Sequence, residues 1–191
     1  MRTFIAVDFP PFMLERIAEI TGFFKTLTSE KDLKWVETKN LHLTIKFLGE
    51  IDEQKAVQVK RTLPDALKDQ HSFEIEISGL GMYPNRNKPR VIWLGITGAD
   101  PLADIYDVMN SKLAKLEIQP EHRPFSPHLT IARIRKNTDY TTAQQIGKVL
   151  SKYQVDPLGT VTIAQVHFYQ SVLTPSGPIY TRLHSIDLNQ V

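Results

Sequence analysis

His42-Leu43-Thr44-Ile45 returns unchanged as His128-Leu129-Thr130-Ile131, and the way these two words are read decides the fold. In an extended strand successive side chains point to opposite faces, so His42 and Thr44 share one face while Leu43 and Ile45 share the other. The second copy divides the same way. Each word can therefore bury a leucine and an isoleucine while presenting an imidazole and a hydroxyl to a cleft, about 6.6 Å apart along the strand. The copies begin 86 residues apart in a chain of 191, which indicates two related halves.

The flanks support strands. Trp35-Val36 and Asn40-Leu41 precede the first word, and Lys46-Phe47-Leu48-Gly49 follows it. Pro124-Phe125-Ser126-Pro127 precedes the second, and Ala132-Arg133-Ile134 follows. Each word thus opens a short apolar segment after turn-forming residues. By strict alternation Lys46 shares the face of His42 and reads either as an anion contact or as a solvated edge lysine. By the same parity Arg133 faces away from His128 and would join the site only from a bulge or a twisted strand end.

The rest of the chain reads as helices alternating with antiparallel pairs. Apolar positions recur at helical spacing over 12–27, over 52–63 as far as Pro64, over 102–116, and more weakly over 141–152, where Gly147 interrupts. Strands are expected at 2–8, 33–36, 42–48, 73–77, 90–96, 128–134, 161–169 and 179–188, with 79–89 as a loop-rich hairpin connection carrying Arg86, Lys88 and Arg90. That pattern predicts an α+β fold rather than a doubly wound parallel sheet. Residues 1–191 show no linker or low-complexity segment, so one two-lobed domain is expected.

Composition narrows the function. There is no cysteine, which removes disulfides, thiolate metal sites and a cysteine nucleophile. With 23 basic and 21 acidic residues the net charge is +2, so any nucleic-acid contact is expected to be local rather than a general electrostatic grip. No run approaches the roughly 18 apolar residues of a membrane span, and an acidic residue and Pro10-Pro11 arrive too early for a signal peptide. A cytoplasmic protein, away from membranes, is the expectation.

Two histidines near their ordinary pKa of about 6.5 can divide the roles of general base and general acid around one phosphodiester. Thr44 and Thr130 can donate to the phosphate oxygens and stabilise charge that builds up in the transition state. Metal ligation is not expected, because two histidines without a partnering carboxylate make a poor divalent site. Phe125, Tyr83 and Trp35 are candidates to stack on a base or to pack. His71, His122, His167 and His184 lack a partnering word and read as surface or core residues.

These residues resemble the two-histidine phosphoesterases, and more closely their RNA 2′,3′-cyclic phosphodiesterase branch, historically called 2′-5′ RNA ligase. The likeness runs from Arg2, Phe4 and Ala6 through both words with their flanks and Pro89-Arg90-Val91-Ile92-Trp93 to Gly177-Pro178 and Tyr180. It implies a bilobal fold with two pseudo-symmetric antiparallel sheets, helices outside, and a central cleft. It also implies metal-free and cofactor-free opening of a terminal 2′,3′-cyclic phosphate to a 2′-phosphate, with His128 as the base and His42 as the acid. Reverse joining through a 2′-5′ linkage is implied as a weaker activity. The expected partner is RNA with a cyclic phosphate end, tRNA fragments among the possibilities, or a cyclic nucleotide; the expected state is a monomer. Thr44 and Thr130 are then the phosphate-binding pair, and Lys46, Arg133 and Phe125 the candidate substrate contacts. Two alternatives stay open: a phosphodiesterase for 2′-5′ oligonucleotides or small cyclic nucleotides, and a non-catalytic RNA-end binding module.

Overall fold

The computed structural model describes residues 1–120, 124–175 and 177–190. His122 lies outside the described residues. Within them the first half runs β1 (Arg2–Val7), α1 (Pro11–Thr26), β2 (Leu33–Trp35), a 3₁₀ turn (Thr38–Asn40), β3 (Leu43–Glu50), α2 (Glu53–Leu67) and β4 (Phe73–Tyr83). The second runs β5 (Val91–Thr97), α3 (Asp100–Ala114), β6 (His128–Ile134), α4 (Tyr140–Leu150), β7 (Thr160–Ile163), β8 (Gln165–Thr174) and β9 (Gly177–Asp187).

Two antiparallel sheets result, one ordered β3-β1-β8-β9 and the other β2-β6-β5-β4-β7. β1 and β3 of the first half correspond to β5 and β6 of the second, and the third strand of each half is exchanged. Thus β8 pairs with β1, while β4 pairs with β5. The exchange ties the halves together, and one buried cluster takes residues from both sheets and all four helices. The α+β fold of two pseudo-symmetric sheets is as the sequence predicts.

The helices form where apolar spacing and caps coincide. α1 starts at Pro11, whose missing N–H costs nothing at a first-turn position, and buries Met13, Ile17 and Phe24 along one stripe. Asp52 caps α2 by accepting from the Lys55 N–H at 2.7 Å. Pro64 does not end α2, contrary to expectation. The helix runs on to Leu67 because Leu63, Ala66 and Leu67 bury on its inner face and outweigh the one lost backbone bond.

Two strand boundaries also differ from the sequence reading. Gly79 through Tyr83 belongs to β4 rather than to a loop: Gly79, with φ of 74°, is a bulge between Ser78 and Leu80, and pairing with β5 resumes beyond it. The predicted strand 161–169 divides at Ala164, where the chain leaves one sheet for the other. The basic tip after β4 rests on α4, since a Cβ on Gly147 would stand 2.0 Å from the Arg86 carbonyl oxygen. Gly147 therefore reflects packing, not a weak helix. Among the described residues, no helix is long and apolar enough to cross a membrane.

Candidate active site

Both histidines are held by the same local device. His42, standing one residue before β3, places Nδ1 2.8 Å from the carbonyl oxygen of Asn40. His128, the first residue of β6, places Nδ1 2.7 Å from the carbonyl oxygen of Ser126. A carbonyl only accepts, so each Nδ1 carries the hydrogen and each Nε2 is left to exchange a proton. Thr44 and Thr130 are half-buried, and neither hydroxyl bonds to another described residue.

Sequence reasoning does not single out the residues that hold these carbonyls. Asn40 and Ser126 are related by the same 86-residue offset as the words themselves. The Asn40 side-chain amide donates to the Pro178 carbonyl at 3.3 Å, and the Ser126 hydroxyl pairs with the Tyr83 hydroxyl at 2.9 Å. Their one signal is their place two residues ahead of each histidine.

After each word the strand bulges, and the bulge overturns the parity argument. Opposite β1, Ala6 faces Thr44 but Ile5 faces Lys46, so β3 spends an extra residue at Ile45. Lys46 thereby turns to the core side. It is 1% exposed, with Nζ donating to Asn110 Oδ1 at 2.6 Å and to the Gln119 carbonyl at 3.4 Å. Neither an anion contact in the cleft nor a solvated edge lysine describes it. Phe47 takes the vacated place on the site face, its ring 6.2 Å from that of Phe4.

β6 repeats the bulge at Ile131, because Trp93 faces Thr130 while Ile92 faces Ala132. Arg133 thus comes round to the face of His128 and Thr130 by a bulge, one of the two routes the sequence leaves open. Phe125 packs with its ring stacked on Tyr106 at 5.0 Å, which occupies one of its faces.

The histidines are walled differently. Phe4 stacks on His42 at 4.7 Å and Tyr180 meets the ring edge-on at 5.0 Å; Tyr169 stacks on the far side of Phe4 at 5.3 Å. His128 is met edge-on by Tyr83 at 5.1 Å and Trp93 at 6.1 Å. Behind His42 lies a polar cluster that the sequence does not reveal. Asp8 accepts from Tyr169 Oη at 2.6 Å and from Arg182 Nη2 at 2.5 Å, and its Oδ2 lies 3.6 Å from His167 Nε2. His167 bonds through Nδ1 to Ser185 at 2.9 Å.

The halves are joined close to the site. β2 pairs with β6, Val36 N donates to the Ile131 carbonyl at 2.9 Å, and the chain then turns through the 3₁₀ segment to His42. Tyr180, on β9, meets the His42 ring and feels the charge of Arg133 on the other sheet. Burial raises its hydroxyl pKa, and the charges of Arg133 and Arg2 oppose that rise.

Burial also holds the His42 imidazole below the ordinary histidine range, with the Asn40 carbonyl and Asp8 pulling the other way. His167 is lowered chiefly by burial too, against Asp8. Burial, helped by Asp8, pushes the Tyr169 phenol up to about 12, so it stays protonated and donating. The unfolded chain therefore binds protons at His42 and His167 more readily than the folded protein does. Stability from these groups is full above about pH 6.5 and falls as pH drops through their depressed values. A melting-temperature series from pH 8 to pH 5 is expected to decline, and the decline should be shallower in His42→Gln and in His167→Gln.

The family model described as LigT like Phosphoesterase matches this chain twice, over residues 7–93 and 95–180, one match to each half. The chain belongs to the LigT-like phosphoesterase family. An RNA 2′,3′-cyclic phosphodiesterase of Methanocaldococcus jannaschii is 37% identical over 180 residues, covering 94% of this chain and 96% of that protein. One of Methanothermobacter thermautotrophicus is 32% identical over 183 residues, covering 95% of each. A crystal structure from Thermus thermophilus superposes with a TM-score of 0.78 at 24% identity, covering 100% of this chain and 99% of that one, and so shares the fold.

Proposed function

We propose that this LigT-like phosphoesterase hydrolyses the terminal 2′,3′-cyclic phosphate of RNA, leaving a 2′-phosphomonoester. The observation that carries the reading is the duplicated histidine device: two imidazoles, each with Nδ1 committed to a carbonyl and Nε2 left over, each followed two residues on by a threonine whose hydroxyl bonds to no other described residue. Relatives over nearly the full chain carry the corresponding activity in their names. The chain works as one two-lobed domain whose sheets flank the cleft.

In this mechanism His128 Nε2 takes a proton from water as the water oxygen bonds to phosphorus. The bond from phosphorus to the 3′-oxygen breaks, and His42 Nε2–H gives its proton to that oxygen. Thr44 and Thr130 donate to the phosphate oxygens as charge accumulates on them. The assignment of acid and base follows the family resemblance, and one charge distinguishes the two histidines. Asp8 follows Val7, the partner of Leu43, and so lies beside His42, whereas Gly95 is the strand partner of His128. The Asp8 carboxylate pulls toward the His42 imidazolium, the form an acid must start from, while burial outweighs it and holds the ring below the ordinary histidine range. With the 5′-hydroxyl of a second RNA attacking phosphorus in place of water, the same proton transfers and the same break at the 3′-oxygen would join RNA ends through a 2′-5′ linkage.

Among the described residues no cluster of three histidine, cysteine or acidic side chains could hold a metal ion. No step of this mechanism uses a metal, so activity is expected to persist in EDTA. A short RNA ending in 2′,3′-cyclic phosphate, incubated with the protein and EDTA, should yield a 2′-phosphate end. Faster turnover of a 2′-5′ linked oligonucleotide would assign the site to that substrate instead. Rates equal to those of a His42→Ala and His128→Ala double variant would mean that the cleft binds RNA ends without cleaving them.

A further inference from the structure

The bulge that brings Arg133 to the site face has a second effect, on the neighbouring strand. Arg133 is the register partner of Lys34 on β2, and directly opposite residues of an antiparallel pair project from the same face. Lys34 therefore stands about 4.8 Å further out than Arg133, one strand spacing beyond it. Both side chains are exposed. On the inner side, Arg133 acts on the hydroxyl of Tyr180, which itself lies against His42. His128, Thr130, Arg133 and Lys34 thus form a line on one face, running outward to the edge strand of the sheet.

The local carboxylates do not neutralise this line. Glu37, close enough to Lys34 to feel its charge, is paired with Lys39 at 2.8 Å. Asp32, ahead of β2, accepts from the Thr138 hydroxyl through carboxylate Oδ1 at 3.4 Å, and among the described residues it forms no ion pair with Lys34 or Arg133. The basic tip after β4 is seated on α4 and does not continue the line.

We infer that Arg133 and Lys34 form a track for the phosphodiester backbone of the RNA immediately upstream of the cyclic phosphate, leading the strand out over β2. The inference rests on the phosphodiesterase reading and adds a substrate preference to it. A single cyclic nucleotide has no upstream phosphate and gains nothing from Lys34. An oligonucleotide gains one charge-assisted contact, and with it a salt dependence.

The test compares wild type with Lys34→Glu on two probes: a mononucleoside 2′,3′-cyclic phosphate and a single-stranded hexanucleotide ending in the same group. For the hexanucleotide, kcat/KM is expected to fall about three- to tenfold in the variant. The slope of log kcat/KM against log salt should flatten by at least about 0.7, the increment for one phosphate contact on a single strand. For the mononucleotide both quantities should be unchanged, which also shows that the variant is folded. Equal losses on both probes, or an unchanged hexanucleotide rate and salt slope, would overturn the track and leave the phosphodiesterase reading standing. Failure of wild type to hydrolyse either probe would remove that reading and the track with it. If only the hexanucleotide is hydrolysed, its salt slope decides.

Discussion

His42→Ala and His128→Ala are each expected to lower kcat by about 10²–10⁴, the usual worth of one positioned proton-transfer group. KM should change little, because the removed atoms exchange protons with the reacting groups rather than grip the rest of the RNA. The two losses should not add. Once water is not deprotonated, protonating the leaving oxygen no longer limits the rate, so the double variant is expected within about tenfold of the weaker single variant. Folding should survive in both, since each ring is only partly buried and neither belongs to the main core cluster. His42→Ala removes a ring stacked on Phe4 at 4.7 Å, and so costs more stability than His128→Ala, whose ring has only edge-on neighbours. Single-turnover rates and melting curves on the three variants check this. Additive losses would mean that the histidines act in separate steps, and a wild-type rate in either single variant would remove that residue from the chemistry.

The parts of this site that the sequence reveals are those governed by period two over short distances. Within each word, alternation places His and Thr on one face and Leu and Ile on the other, and the structure agrees: Leu43, Ile45, Leu129 and Ile131 are buried, and the polar residues are half-exposed. One residue further on the argument fails, because a bulge adds a residue without leaving a mark in composition. Alternation assigns Lys46 to the cleft, yet it belongs to the core, where Asn110 and the Gln119 carbonyl replace its hydration. Arg133, by the same bulge, moves the opposite way. The polar cluster of Asp8, Tyr169, Arg182, His167 and Ser185 is invisible in the sequence for another reason. Its members come from β8, β9 and the residue that follows β1, at opposite ends of the chain, and only the exchange of β8 into the first sheet brings them together. His167 reads as a histidine without a partner because its partners are not near it in sequence.

Gly81→Ala is expected to be the costliest single methyl group that can be added near the site. A Cβ at Gly81 would stand 2.1 Å from Cζ2 of Trp93, which lies across β4 as its register partner. Ordinary contact begins near 3.4 Å, so the indole must retreat by about 1.3 Å or the strands must part. Retreat is obstructed, because the ring lies 5.1 Å from Tyr83 and 6.1 Å from His128. The indole Nε1 has no hydrogen-bond partner among the described residues, so shape alone fixes the ring's position. Overpacking of this kind costs about 1–3 kcal/mol, which in a domain of this size lowers Tm by about 2–12 °C. Activity should fall further than stability accounts for. A shift of about 1 Å at the ring that borders His128, and at Tyr83 whose hydroxyl holds Ser126, misplaces the imidazole, and misplacement on that scale costs up to about 10²-fold in kcat. Trp93→Leu introduced alongside Gly81→Ala makes room for the new methyl and is expected to restore most of the lost Tm. If Gly81→Ala melts like wild type, the indole is not wedged against β4, and the account of how His128 is walled in has to be given up. If Tm falls but kcat holds, the indole moves without carrying Tyr83 and Ser126 with it, and His128 is positioned by its Ser126 carbonyl alone.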